Sequence, residues 1–353
     1  MSTIDDPVTF VVPGDLHLTE AGLENHRAAL RVVDEVNGLI RPDFVQFIGD
    51  NVQDAEEAQF RLFDELRSRL AAPHFALVGD HDVKGDRQAK GFRAHLGPTY
   101  GSDSLRGFRF LRLDTQESKP VGMTQGQVDW FRTEVEDALS SGERPFIFQH
   151  NYPFQVWETF DGPGLDDWRA IVQRRRVAGI VCGHTHYLQA ANDGRNAFVA
   201  VRSIGDPEGG PPGYLIGHLA GDDFAVTYRS VEDRGPIALV THPREAILAT
   251  GPAHVVAGPD RVEVRVWSAE PVATVGGRID GGAWFDLDPI APGQWMAPLP
   301  GDRLAKGRHS LEARVLDKQG NQAGHPIEFL VDPTGRHTAV PATFPVVERT
   351  AFC

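Results

Sequence analysis

Residues 178–186 read AGIVCGHTH. Ile180, Val181 and Cys182 make a short apolar run, Gly183 breaks it, and two histidines follow two residues apart. A short apolar run closed by a turn residue reads as a buried strand. Four other runs end the same way: VTFVVPGDLH (8–17), DFVQFIGD (43–50), HFALVGDHD (74–82) and PFIFQH (145–150). Together the five deliver Asp15, His17, Asp50, Asp80, His81, Asp82, His150, His184 and His186. In an open α/β sheet, ligands bind beyond the carboxyl ends of the strands. Five such ends therefore converge on one place. Their mixture of carboxylate oxygen and imidazole nitrogen suits two adjacent divalent or trivalent ions such as Mn, Fe or Zn.

Helical stripes alternate with these strands. Leu23, Leu30, Val33, Val36 and Leu39 predict a helix over 23–40, and Phe60, Phe63, Leu66 and Leu70 one over 55–70. Asp54 and Glu57 have the spacing of a capping box for the second. Val128, Phe131, Val135 and Leu139 predict a helix over 125–140, capped by Thr124 and Gln127. Trp168, Ile171 and Val172 mark a shorter one. Further strands are expected at 108–115, 197–203, 213–220 and 223–231, the last two joined as a hairpin through Gly221-Asp222.

The motifs Asp15-Leu16-His17, Gly49-Asp50, Gly79-Asp80-His81-Asp82, His150 and Gly183-His184-Thr185-His186 resemble those of the calcineurin-like metallophosphoesterases. They follow the family's order and span about residues 8–232. GDNVQD (49–54) is similar to the cyclic-nucleotide and glycerophosphodiester branch. The resemblance implies a four-layer α/β/β/α sandwich holding two metal ions. It places Asp15, His17, Asp50 and His186 on one ion and Asp50, Asp80, His150 and His184 on the other, with Asp50 shared. It puts His81 beside the leaving oxygen as general acid, with Asp82 in a position to orient it. It implies hydrolysis of a phosphate ester, a phosphodiester ahead of a monoester. Asp80 departs from the pattern, which usually has Asn there. A phosphonate or other non-phosphate hydrolase and a non-catalytic metal-containing binding protein remain the alternatives.

Asp15 and His17, at i and i+2 of an extended segment, would face the same way. The glycine before Asp50 would let the chain turn sharply. Asn151 and Tyr152 are expected either to line the pocket or to be structural. The spare histidines, including His26, His74, His95, His218, His242 and His254, are expected on the surface or in loops.

From about residue 240 the helical stripes stop. HVVAG, VEVRVWSA, VATVGGRID, WFDLDPI, GQWMAPLP, HSLEARVLD and HPIEFLVD follow, separated by Gly, Pro, Asp and Asn. Seven short strands at this spacing predict an immunoglobulin-like β-sandwich. The expected division is therefore 1–235, 240–333 and an extended tail over 334–353. This second part is expected to pack, or to dimerise into a homo-oligomer; alternatively one of its loops walls the cleft. Trp284 and Trp295 would serve either role.

A length of 353 residues exceeds one ordinary core, in keeping with two domains. The net charge of −14 argues against a track for duplex nucleic acid, yet permits a small anionic substrate, because bound metals reverse the local field. Two cysteines, Cys182 and Cys353, make no disulfide framework. The N-terminus lacks a basic and apolar leader, and no run reaches 18 apolar residues, so a cytoplasmic protein without membrane contact is expected.

Overall fold

A computed structural model describes residues 6–153, 162–300 and 304–345. Cys353 lies outside them. Two sheets form the N-terminal part. The first runs in the order Asp223–Ser230, Gly213–Ala220, Val8–Pro13, Phe44–Phe47, His74–Ala76. The last three strands are parallel, and Gly213–Ala220 is antiparallel to Val8–Pro13. The second has seven strands: Ala342–Phe344, Gln189–Asn192, Ala197–Ala200, Ile180–Cys182, Arg144–Gln149, Phe108–Leu113 and Gly101–Leu105. Its four central strands are parallel.

Alternation along each strand explains why there are four layers. Val8, Phe10 and Val12 share one core with Phe110, Phe146 and Phe148, so the two sheets pack face to face. Phe10 meets the Phe146 and Phe148 rings at 5.3 and 5.4 Å. The opposite side of the first sheet, with Val11 and Val45, packs under the helices Glu24–Glu35 and Glu57–Arg67. Leu111, Leu113 and Ile147 pack under Gln125–Ser140 and Leu165–Arg174 on the other outer face. Strands apolar on both sides need cover on both, which the helices supply.

Several expectations change in detail. The helix expected over 23–40 is α-helical only to Glu35; Val36–Ile40 is a π-turn, and Arg41 beyond it has φ 49°. Leu23 and Leu139 are exposed rather than on the buried stripes. Thr124 caps its helix, accepting from the Gln127 N–H at 3.4 Å. No Asp54–Glu57 box forms; instead the Gln59 side chain accepts from the Asp54 N–H at 2.8 Å. The sequence does not signal the helix Lys90–Leu96, the edge strand Gly101–Leu105 or the strand Gln189–Asn192. Neither GSDSL, on an edge, nor QAAN, between Ala342–Phe344 and Ala197–Ala200, carries an apolar alternation. Within the stretch expected as an extended tail, Ala342–Phe344 pairs antiparallel with Gln189–Asn192.

The C-terminal part is all-β. One antiparallel sheet orders Ile237–His242, Arg261–Trp267, Gln294–Pro298 and Asp288–Ala291; the other orders Phe285–Asp286, Val272–Ile279, Gly307–Asp317 and Gln322–Val331. Val262, Val264, Val275, Leu311, Val315 and Phe329 fill the space between them. The first strand begins at Ile237, so the expected start at 240 falls inside it. HVVAG is not a strand; Val256 makes only a single bridge to Val331. WFDLDPI divides between the two sheets. Among the described residues, no helix is long and apolar enough to cross a membrane.

Candidate metal centre

The five strand ends meet where the sequence places them, but through tighter turns than extended chain allows. His17, Asp50, His184 and His186 all have positive φ, at 47°, 50°, 67° and 60°. Asp and His tolerate this region better than most side chains, and such strain collects at functional sites. His17 is therefore not the second residue of an extended pair with Asp15. Its N–H and that of Leu16 both donate to the Asp50 carbonyl at 2.9 Å, which ties the first two loops together. A Cβ on Gly79 would stand 2.1 Å from Asp50 Oδ1, and one on Gly49, at φ 104°, would stand 2.3 Å from His150 Nδ1. Only glycine lets the backbone pass that close.

Asp15, Asp50 and His150 are fully buried, and His17 and His184 nearly so. Ligand atoms of Asp50, Asp80, His150 and His184 all lie within 4.8 Å of one another. His150 Nε2 is 3.2 Å from Asp80 Oδ1 and 3.5 Å from Asp50 Oδ1; His184 Nδ1 is 3.1 Å from Asp80 Oδ1. His17, Asp50 and His81 make a second such group. His17 Nε2 lies 3.8 Å from Asp50 Oδ2 and 3.1 Å from His186 Nε2. Asp50 thus presents one oxygen to each side. Asp15 stands behind the pair: its Oδ1 accepts from the His184 N–H at 3.2 Å, while its buried Oδ2 has no partner. His17 Nδ1 and His184 Nε2 are likewise buried and unpartnered. Buried carboxylates and imidazoles with unspent atoms are costly unless a cation collects them, so the set fits two metal ions.

Burial alone would raise the Asp80 carboxyl, but hydrogen bonds from His150 and His184 hold it far below the usual range. Burial would lower His150; Asp50, Asp80 and Asp15 outweigh it and raise that imidazole well above its ordinary value. Burial likewise opposes the charged form of His81, and Asp50 with the Gln53 carbonyl tips it upward.

His81 stands edge-on to His17, with ring centres 4.6 Å apart. Its Nδ1 lies 2.7 Å from the Gln53 carbonyl, and its Nε2 is 3.9 Å from Asp80 Oδ2. Asp82 does not orient it. The Asp82 carboxylate turns away and accepts from the N–H groups of Gly79 and Val52 at 2.9 and 3.1 Å and from Asn51 Nδ2 at 2.9 Å. One residue of separation on a 3₁₀ turn sends the two side chains apart. Burial, then Asp50, pushes the Asp82 carboxyl up to about 7. The orienting group is a main-chain carbonyl, which no residue type announces. Asp206 Oδ2, 3.6 Å from His186 Nδ1, was not signalled either. Asn151 and Tyr152 are fully buried, and Asn151 Oδ1 accepts from Thr115 and Gln116, a structural arrangement. His218 and His254 are buried rather than on the surface, and His74 and His242 lie in strands.

A model of the calcineurin-like phosphoesterase family matches residues 8–188, half of the chain and the stretch that carries all seven candidate ligands. The chain belongs to this family. Solved structures agree on the fold of this phosphoesterase. A dimetal phosphatase from Danio rerio is 14% identical with a TM-score of 0.51, covering 65% of this chain and 98% of its own. A purple acid phosphatase from yellow lupin (Lupinus luteus) is also 14% identical with a TM-score of 0.51, covering 65% of this chain and 52% of its own. GAP50 of Plasmodium, described as the anchor in the inner membrane complex, is 12% identical with a TM-score of 0.51, over 64% of this chain and 85% of its own. No curated protein matches the chain. The family makes the chain a phosphoric ester hydrolase with a candidate dimetal site.

Proposed function

We propose that this chain hydrolyses a phosphodiester with two metal ions, held by Asp15, His17, Asp50 and His186 on one side and by Asp50, Asp80, His150 and His184 on the other. Mn, Fe or Zn suits this donor set. When bound, such ions supply Lewis acidity and an acidified water as nucleophile. Asp50 sets the separation of the two sides, because its Oδ1 faces His150 and its Oδ2 faces His17. His81 keeps its Nδ1 on Gln53, so the proton it gives to the leaving oxygen sits on Nε2, the nitrogen turned to the site.

The observation that carries the diester reading is a carboxylate, Asp80, standing 3.2 and 3.1 Å from the His150 and His184 imidazoles. Where Asn is usual, this adds a third carboxylate to Asp15 and Asp50. The extra negative charge disfavours a dianionic monoester more than a singly charged diester. The GDNVQD stretch points the same way. The complete ligand set supports catalysis over a purely binding role. The substrate is a small phosphate ester; an acidic chain with no basic track gives duplex nucleic acid no footing. The cytoplasm remains the proposed compartment. A homo-oligomer, if one forms, is proposed to use the all-β part.

The test compares bis-para-nitrophenyl phosphate, para-nitrophenyl phosphate and 2′,3′- and 3′,5′-cyclic nucleotides on protein loaded with Mn, Fe or Zn. Higher kcat/KM on diesters is expected. A preference for the monoester would reject the diester reading, and inactivity on all of them with two metals bound would reject phosphate ester hydrolysis.

A further inference from the structure

Away from the metal centre, two arginines meet on one histidine. Arg176 Nη2 lies 2.5 Å and Arg244 Nη1 3.0 Å from His254 Nε2. Arg176 follows the helix Leu165–Arg174, Arg244 follows the strand Ile237–His242, and His254 ends the turn Pro252–His254. Arg144, at the start of the strand Arg144–Gln149, is close enough to act on Arg176. The other end of that strand leads to His150, so six strand residues, roughly 20 Å, separate this cluster from the metal centre.

Donors outnumber acceptors here. The Thr250 N–H donates to His254 Nδ1 at 2.9 Å, while both guanidiniums point N–H groups at Nε2. A neutral imidazole accepts at one nitrogen and an imidazolium at none. His254 therefore cannot receive all three. Arg244 Nη1 also reaches the Asp222 carbonyl at 2.8 Å, but Arg244 is 3% exposed and its Nε is buried without a partner.

Carboxylates do not make up the difference. Among the described residues, neither Arg176 nor Arg244 forms an ion pair; Asp222 and Asp223 attract them only from a distance. The exposed Asp222 leans towards Arg144, at 3.5 Å, and Asp223 is held by His242 at 2.8 Å. Arg195, with its Nη2 on the Arg174 carbonyl at 3.1 Å, adds a further positive charge near Arg176. His337, on the Ala249 carbonyl, brings no negative charge. Four arginines thus face two aspartates, one of them spent on His242. Guanidiniums this close repel each other, and one that is buried without an acceptor is costly. An oxyanion relieves both, because its several oxygens match the fork of each guanidinium. Arg176 is exposed, so an anion meets it from solvent and reaches Arg244 behind it.

We propose that Arg176 and Arg244, assisted by Arg144, form a second anion site, which takes a tetrahedral oxyanion of the phosphate class in place of their shared contact with His254. It does not rest on the reaction assigned to the metal centre.

Inorganic phosphate is the probe, titrated into the full-length, metal-loaded protein with chloride at equal ionic strength as control. The readout is the Arg244 Nε–H resonance in heteronuclear NMR spectra, which reports on this cluster and not on phosphate held at the metal centre. A saturable shift is expected with phosphate and none with chloride. Arg176→Gln, at an exposed position, should weaken phosphate at Arg244 by about 10-fold or more, the worth of one charge-assisted contact, with metal content unchanged. Asp222→Asn removes a competing carboxylate and should tighten phosphate several-fold, a gain that a poorly folded variant would not produce. No saturable shift, an equal shift with chloride, full affinity in Arg176→Gln, or weaker binding in Asp222→Asn would each overturn the proposal.

Discussion

The Nδ1 of His81 donates to the main-chain carbonyl of Gln53 at 2.7 Å. That contact fixes which nitrogen is left for chemistry. It also places the orienting group three residues beyond Asp50, in the same loop. His81→Ala should keep both metals and lower turnover by roughly 10²–10⁴, the range of a positioned acid. The loss should shrink for para-nitrophenolate, which leaves without help. Equal losses on good and poor leaving groups would remove His81 from proton transfer.

Asp82 makes a separate prediction because it clips two ligand loops rather than serving His81. Its oxygens receive three N–H donors from Gly79, Asn51 and Val52. In Asp82→Asn one of those positions becomes an NH₂ facing a donor, at a cost of about 1–3 kcal/mol for the unmet group. Lower melting temperature and weaker retention of the metal on Asp80 are expected, with the pH dependence assigned to His81 unshifted. Wild-type metal affinity with a shifted pH profile would instead return Asp82 to the role of orienting group.

Asp80→Asn removes one formal negative charge without removing the side chain's reach. The variant should stay active, gain relative activity on monoesters and hold its second metal less tightly. The diester-to-monoester ratio and the metal content per chain decide the matter. If neither moves, charge at Asp80 does not select the substrate.

The place where the strand ends meet is legible in the sequence because each proposed ligand ends an apolar run, and short apolar runs closed by turn residues read as buried strands. Val11 and Phe10, one residue apart, already face two different cores. What the runs do not carry is the path of the chain after it leaves the sheet. The positive φ of His17, Asp50, His184 and His186 arises from contacts between loops, such as Leu16 and His17 on the Asp50 carbonyl, and no single segment encodes it. The same holds for Gln53, which acts through its backbone. It holds for Ala342–Phe344, a stretch flanked by Pro341 and Pro345 that becomes a strand only because Gln189–Asn192 offers an edge. Nothing local to His242 marks it as an ion-pair residue, because its two partners lie 19 and 18 residues away on either side.

Those partners make the last prediction. His242 Nδ1 lies 2.8 Å from Asp223, on the first sheet, and its Nε2 lies 2.8 Å from Asp260, which precedes a strand of the all-β part. One imidazolium thus joins the two parts of the chain. Burial by itself would lower the His242 pKa, but the two carboxylates raise it to about 9. The unfolded value is about 6.5. A folded pKa above the unfolded one means that the protonated form is favoured by folding. The stabilisation is therefore fully present below about pH 6.5 and fades as pH rises through about 9, with a size on the order of 3 kcal/mol. His242→Gln keeps a polar side chain but cannot carry the charge. Urea unfolding of both proteins at pH 6, 8 and 10 should show a gap that is largest at pH 6 and nearly closed at pH 10. A gap constant across that range would mean that His242 acts by shape or hydrogen bonding alone, and a gap that widened with pH would contradict the sign of the shift.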